Sequence, residues 1–414
     1  MRIESWLGAL RERNFRLYFV GQLTSAIGTG MTSVALAFAV LASDRSATAL
    51  GVVLAANAVP LAVFLLVGGV IADRLGRRRV MLASDLMRGA AQAGLGAWVL
   101  IGHPPLWGFV LLAAMVGTAT AFFMPALTGL IPEVVSTGRL AQANALDGLS
   151  NSIGSIAGPA LAGVLVAAAS PGWAIIADAL SYFASVTSLA LLRMPPTKME
   201  AATSFFSQLR QGWSEFWSRT WLWVIVVQWS IGNAVILGPF FVLGAVVADR
   251  YLGGSTAWGT ILAAQGAGSV AGGIVLLRLE VRRPLFVGTL SSLVFPWSLL
   301  ALAFRAPLAV IAAGSFAAGV ALAVFGVLWN TTMQREVPSE VLSRVSSYDW
   351  FGSLVFLPLG FALAGPVSSA IGIRATFIGA SIWCVLSALV VVAVPSVNGL
   401  VVTKPAGELG IERT

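Results

Sequence analysis

Long apolar runs without charge alternate with short connections rich in arginine along almost the whole chain. Uncharged stretches lie between Ser46 and Ala72, Gly89 and Pro132, Gly148 and Ala177, and Ala179 and Leu192, and continue in the same manner from Thr220 to Thr403. A helix that crosses a membrane needs about 20 apolar residues, because the hydrocarbon core is about 30 Å thick and the helix rises about 1.5 Å per residue. On that measure the pattern predicts twelve helices, at roughly 16–42, 48–72, 79–101, 106–130, 141–169, 173–192, 220–248, 256–277, 284–304, 307–333, 345–370 and 374–394. The stretch after Gly89 is too long for one helix and is broken at His103-Pro104-Pro105. The first span lacks a cleavage-site pattern and is followed at once by a second, so it reads as an anchor.

Composition narrows the class. Charged residues are 10% of the chain and hydrophobic types 58%, where a soluble domain carries roughly 25% charge. So few charges cannot cover a water-facing surface, which excludes a soluble enzyme and a disordered chain. A single His103 and a single Cys384 exclude disulfides, zinc clusters and Cys/His nucleophile pairs, so neither metal nor cofactor is expected. The net charge of +8 could suggest nucleic acid, but the placement of the basic residues argues otherwise. Twenty Lys and Arg fall on the connections that share a side with the two termini, and four (Arg45, Arg250, Arg305 and Arg374) on the other. That asymmetry is the positive-inside pattern and predicts both termini in the cytoplasm of a multi-pass inner-membrane protein. The partners expected are the lipid bilayer, protons and a small-molecule substrate, with no nucleic acid, and a monomer is expected.

The longest connection, 193–219, sits at mid-chain, and apolar positions at Phe205, Leu209, Trp213 and Phe216 predict an amphipathic interfacial helix in it. The chain then divides into a six-helix half over 1–192, the linker 193–219, a second half over 220–395 and a cytoplasmic tail over 396–414. The halves repeat. Gly69-Val-Ile-Ala-Asp73-Arg74-Leu-Gly76-Arg77-Arg78-Arg79 returns at an offset of 204 as Gly273-Ile-Val-Leu-Leu277-Arg278-Leu-Glu280-Val-Arg282-Arg283. Ala157-Gly158-Pro159 returns as Ala364-Gly365-Pro366, with Asp147 and Asp349 near the starts of the two spans concerned. Two six-helix halves around a central cavity are a secondary-transporter signature.

The loop sequence Gly69-x-x-x-Asp73-Arg74-x-Gly76-Arg77-Arg78 fits the loop motif of the major facilitator superfamily, and the chain resembles that family over residues 13–395. Arg13-Asn14-Phe15-Arg16-Leu17-Tyr18, Ala83-Ser-Asp85-Leu-Met-Arg88 and Ala177-Asp178-Ala-Leu-Ser181 are similar to the branch holding enterobactin exporters and macrolide-efflux proteins. The resemblance implies an all-α membrane fold of two pseudo-symmetric six-helix halves, with Asp73 latching the halves on the cytoplasmic side in the outward-open state. The plain alternative is a tight, basic turn that sets topology. Leu277 stands where the second copy would carry the aspartate, so a one-sided latch is expected. Gly154-x-x-x-Gly158-Pro159-x-x-x-Gly163 resembles, in shortened form, the motif of proton-exchanging exporters, while Gly-x-x-x-Gly is also generic helix packing.

Polar groups inside apolar spans need partners and therefore face the bundle or a cavity. Candidates for the substrate path are Tyr18, Gln22 and Ser25 on span one, Asn57 on span two and Asn151 on span five. Trp229 and Asn233 on span seven and Trp329 and Asn330 on span ten complete the set. Helix packing is as good a reading for any one of them. Trp221 and Trp223 are expected as interfacial anchors. An acid shielded from water holds its proton more readily, which a proton carrier needs, so Asp178, Asp147 and Asp349 are the coupling candidates. Asp85 and Arg88, three residues apart, are expected to form a structural ion pair. Span four carries no arginine, unlike many proton-coupled exporters of the family. The function expected is proton-coupled export of a hydrophobic or amphiphilic molecule, such as a drug, siderophore or secondary metabolite, by alternating access. A nutrient-importing symporter would want more charge in the cavity, and a lipid enzyme needs a constellation that His103 alone does not supply.

Overall fold

The computed structural model describes residues 8–44, 46–193, 213–276 and 281–400. Twelve long helices account for them: α1 Arg13–Asp44, α2 Ala47–Leu75, α3 Arg77–Ile101, α4 Leu106–Val134, α5 Leu140–Ala168 and α6 Pro171–Ala190. After the linker come α7 Thr220–Leu252, α8 Ser255–Leu276, α9 Pro284–Ala303 and α10 Leu308–Glu336. The last are α11, in two pieces Ser339–Leu354 and Leu357–Ile371, and α12 Ile373–Ala393. Eleven are long and apolar enough to cross a membrane. The exception is α3, which carries Arg77, Arg78, Arg79, Asp85 and Arg88 and joins the bundle because Asp85 and Arg88 neutralise each other inside it.

Local chemistry sets the boundaries and corrects several expected ones. Gly76, at φ +89°, makes the reversal between α2 and α3 in a backbone region that side-chained residues rarely adopt. Span seven runs past the expected 248 to Leu252, through π-turns at Asn233–Leu237 and Ala248–Leu252, until Gly253 and Gly254 turn the chain. Prolines interrupt the two spans that are not continuous. Pro358 has no N–H for the Leu354 carbonyl, and α11 breaks between those residues. Pro296 likewise deprives Ser292, and α9 tightens to a 3-10 turn at Ser292–Val294. Of the expected interfacial helix, residues 194–212 lie outside the described residues. Its last turn, 213–218, is helical, buries Phe216 and sets Trp213 edge-on to Tyr348 of α11 at 5.4 Å between ring centroids.

Three apolar clusters reveal how the halves are joined. Calling the end where α1 begins the terminus side, one cluster there is drawn wholly from the first half, around Phe15, Val80, Leu130 and Leu189. A second is drawn from the second half with the flanking Phe216 and Val397, around Leu222, Leu285, Met333 and Val345. The third lies at the far side and mixes both, Val34, Leu50 and Ala162 with Leu243, Trp258 and Phe361. The halves thus share a core at the far side and keep separate cores at the terminus side.

Two seams close the far side, and in both a glycine is set against the backbone of the other half. At the α5–α8 seam a β-carbon on Gly259 would stand 2.4 Å from the Pro159 carbonyl, and one on Gly266 would stand 2.6 Å from that of Ser155. The Ser155 carbonyl is the one that Pro159 leaves without its helical donor, so the glycine sits where backbone can approach it. The α2–α11 seam repeats the device, with Gly51 against Phe361 and Gly365 against Thr48. Gly259→Val should therefore wedge the first seam, at an overpacking cost of about 1–3 kcal/mol. We expect a cysteine placed at Thr256 to become on the order of tenfold more reactive towards an impermeant maleimide in Gly259→Val, and unchanged in Gly148→Ala, where a β-carbon meets nothing. Equal labelling of both variants would refute the seam.

Candidate functional site

The interior of the first half is a polar network strung between α1, α3 and α6. Asp178 of α6 is fully buried. Its carboxylate accepts from Thr32 Oγ1 at 2.6 Å, from Gln92 Nε2 at 2.8 Å and, on the other oxygen, from Ser181 at 3.4 Å. Gln92 also donates to Thr32 at 3.0 Å, so the donors are themselves positioned. Gly28 makes the approach possible, because a β-carbon there would strike Ser181 and Asp178. One turn along α6, Tyr182 meets the hydroxyl of Thr29 at 3.0 Å. Arg88 pairs with Asp85, and its guanidinium lies over the rings of Phe123 at 3.9 Å and Tyr182 at 4.6 Å. Ser185 gives the second Asp85 oxygen a hydrogen bond of 2.7 Å. Among the described residues of this interior, Arg88 is thus the one cation facing two carboxylates, and it is committed to Asp85. Asp178 is held by dipoles.

The other acids are arranged differently. Asp147, half-buried on α5, accepts from Tyr18 at 2.5 Å and from Asn151 at 3.3 Å. Asp349 on α11 is buried and accepts from the indole of Trp329 at 3.0 Å. The repeat makes these two acids counterparts, yet one is held from α1 and the other from α10.

At the terminus side, the loop arginines cap helix ends. Arg77 donates to the Gly129 carbonyl at 2.7 Å and pairs with Glu133 at 2.9 Å, both on α4. Arg78 donates to the carbonyls of Leu189 and Ala190 at 2.7 and 2.6 Å, at the end of α6. Cations suit the carbonyl-rich end of a helix, so the two side chains bind α3 to α4 and α6. Arg74 is exposed, and the side chain of Asp73 lies outside the described residues, as do 277–280 of the second loop copy. Beside the loop, Glu12 accepts from the backbone and hydroxyl of Ser136 at 3.0 and 2.7 Å and pairs with Arg139. The hydroxyl of Ser136, foremost, holds the Glu12 carboxyl below its usual range.

The glycine motif of α5 divides its work. Gly154 and Gly158 lie on the backbone of α1 at Ala26, Ile27 and Gly30, whereas Gly163 lies on α8 of the other half. There its carbonyl accepts from Ser255 and Thr256 at 3.0 and 3.3 Å. Of the substrate-path candidates, Trp229 and Asn233 line a cavity within the second half, partly open to its surroundings. Gln22 and Ser25 are buried on α1, Asn57 donates to the Ala113 carbonyl at 3.1 Å, and Asn330 is exposed and bonds its own helix. Trp329 belongs to the second half's core, where Trp221 meets it edge-on at 5.6 Å. Trp221 is buried there and is not the interfacial anchor expected of it, because an indole near a span end can face a neighbouring helix as readily as lipid. Thr32, Gln92 and Gly28 were not foreseen from the sequence. Tyr18, Gln22 and Ser25 mark polar positions on α1, but nothing local joins Thr32 to residues 60 and 146 positions away.

The family model of the Major Facilitator Superfamily matches residues 18–355. The chain is a Major Facilitator Superfamily transporter. Two curated relatives extend the match to almost full length. The multidrug efflux pump Tap of Mycolicibacterium fortuitum is 27% identical across 93% of this chain and 96% of its own. The enterobactin exporter EntS of Salmonella typhimurium is 26% identical across 89% and 92%. Among solved structures, a bacterial homologue of the human lysosomal transporter Spinster, inward-facing and unoccupied, superposes with a TM-score of 0.74 at 14% identity, over 96% of this chain and 100% of that one. The nucleoside transporter NupG, as its D323A mutant, gives 0.72 at 12% identity, over 92% and 99%. These two likenesses speak to the fold. A Major Facilitator Superfamily transporter of this fold is a multi-pass membrane protein, and the polar network around Asp178 lies within one of its two halves.

Proposed function

We propose that the protein is a proton-coupled exporter of hydrophobic or amphiphilic small molecules, drugs, siderophores or secondary metabolites among them, working by alternating access. It sits in the inner membrane with both termini cytoplasmic, a reading supported by the twenty-to-four bias of basic residues. The observation that carries the mechanism is the joining of the halves at one end only. A shared core at the far side and separate cores at the terminus side are what one state of an alternating-access carrier requires. Export is the direction supported by the two relatives, a multidrug efflux pump and an enterobactin exporter. Asp178 is the first candidate for the proton, since it has no cation of its own, with Asp147 and Asp349 after it. In this reading Gly69, Asp73, Arg74, Gly76, Arg77 and Arg78 form the gate on the terminus side; Gly154 and Gly158 of the antiporter-like motif seat α5 on α1, and Pro159 and Gly163 meet α8 where the halves rock.

In proteoliposomes, a pH gradient should drive uphill accumulation of a lipophilic dye, and collapsing the gradient should abolish it. Asp73→Asn should slow transport while leaving the folded protein intact, and should shift distances between terminus-side helix ends away from the outward-open form. Uphill transport that survives collapse of the gradient would remove the antiport reading. An unchanged distance distribution with wild-type efflux would remove the gate.

A further inference from the structure

The cavity in the second half, partly open to its surroundings, is lined by residues of α7, α8, α9, α10 and α12, all from that half. Its walls are aromatic, with Trp229, Phe240, Phe295 and Trp383, and no acidic or basic side chain is among its lining residues. Two hydroxyls in the lining, of Thr289 and Ser315, are each 1% exposed and have no hydrogen-bond partner. The Oε1 of Gln228, another lining residue, is buried without a donor. A buried polar group left unpaired costs about 1–3 kcal/mol. Three of them on residues that line one space therefore mark a place where something else supplies the bonds.

The internal repeat explains why the space exists. At the offset of 204 that aligns the two loops, Asp85 corresponds to Thr289 and Arg88 to Ser292. The first half fills its interior with the ion pair and with the guanidinium between Phe123 and Tyr182. In the second half those two positions carry short hydroxyl side chains, and both line the cavity. The helix pairs also match: Ser185 of α6 donates to Asp85 of α3, and Cys384 of α12 donates to the Ser292 carbonyl of α9 at 3.3 Å. That carbonyl is free to accept because Pro296 cannot donate to it.

We infer that this cavity is a binding site for an uncharged, largely apolar molecule that carries a hydrogen-bond acceptor for Thr289 and Ser315 and a donor for Gln228. Charge is excluded by the lining, because an ion placed there would lose its hydration with no counter-charge in return. The site goes beyond the export reading and does not depend on it, since its lining belongs to one half and moves with that half as a unit.

Nile red, a flat uncharged dye with a carbonyl acceptor, is the probe, and ethidium is its cationic counterpart. With the full chain in lipid nanodiscs, Nile red should show a saturable component above empty nanodiscs. The double variant Thr289→Val/Ser315→Ala should weaken it about tenfold, the effect of two lost hydrogen bonds. The same variant should unfold no earlier than wild type without ligand, because the hydroxyls it removes satisfy nothing there. Ala318→Phe, which fills the space, should abolish the saturable component, and ethidium binding should be indifferent to all three substitutions. Absence of a saturable component would mean that water alone fills the cavity. Saturable binding that neither variant reduces, or ethidium binding lost in Ala318→Phe, would equally overturn the inference. The measurement uses no gradient, so its failure leaves proton-driven export standing, and a failure of export leaves the binding site standing.

Discussion

Asp178→Asn should uncouple transport from the proton gradient while leaving downhill movement of the dye in place. The carboxylate holds its position through Thr32, Gln92 and Ser181, and an amide oxygen can take the first two donors, so the helices around it keep their contacts. What the amide cannot do is alternate between a charged and a neutral form. The groups facing Asp178 make that alternation consequential. Arg88 is bound to Asp85, Tyr182 bonds Thr29 instead, and no second cation is present among the described residues of this interior. A proton arriving at Asp178 therefore changes the net charge of the half by one unit in a water-poor place, where such a change weighs most. Gradient-driven accumulation in proteoliposomes should fall to near background, with a flat dependence on pH. If rate and pH profile both match wild type, Asp178 is a structural hydrogen-bonding group and Asp147 becomes the acid to examine.

Arg88→Ala should destabilise the protein by roughly 3–5 kcal/mol, the range for a buried ion pair that loses one partner. Asp85, fully buried, would then keep Ser185 alone for its charge. The loss of the guanidinium from the rings of Phe123 and Tyr182 adds a smaller amount. In thermal unfolding the midpoint should drop by about 5 °C. Asp85→Asn/Arg88→Met should recover most of this, because an apolar chain of similar length refills the space and no charge is left unpaired. A single variant that unfolds with wild type, or a double variant no better than the single, would show that the pair does not hold α3 in the bundle.

The sequence already carried the architecture, because a hydrocarbon environment writes its demand as length and absence of charge. It carried the Asp85–Arg88 pair too, since three residues along a helix is a geometric statement. The glycines of α5 were legible as a close-packing surface, and Trp229 and Asn233 as cavity-facing residues. Contacts between distant helices were not legible. Thr32, Gln92 and Asp178 meet from three spans, and no periodicity along one span encodes what stands opposite it. Gly259 and Gly266 were unremarkable until α5 lay against them. Trp221 shows the converse, a residue whose type and position fit the membrane interface and whose neighbours decide otherwise. The cavity was hidden for another reason. It follows from what the second half lacks at Thr289 and Ser292, and a deficit of volume becomes visible only when the surrounding helices are in place.

The backbone-lined seams of the far side also bear on what can regulate the protein. Glycine against carbonyl, at Gly259 and Pro159 or at Gly51 and Phe361, is held by dispersion and weak C–H contacts, joined at the first seam by the Ser255 and Thr256 hydroxyls on the Gly163 carbonyl, and these contacts include no ion pair to dissolve. Dissolved salt acts on exposed charges within a Debye length and has little to grip there. The parting of these surfaces is instead a matter of lateral area within the bilayer. Lipids that press on the helices differently at the two leaflets should therefore set the resting balance of the carrier, and ionic strength should leave that closure almost untouched.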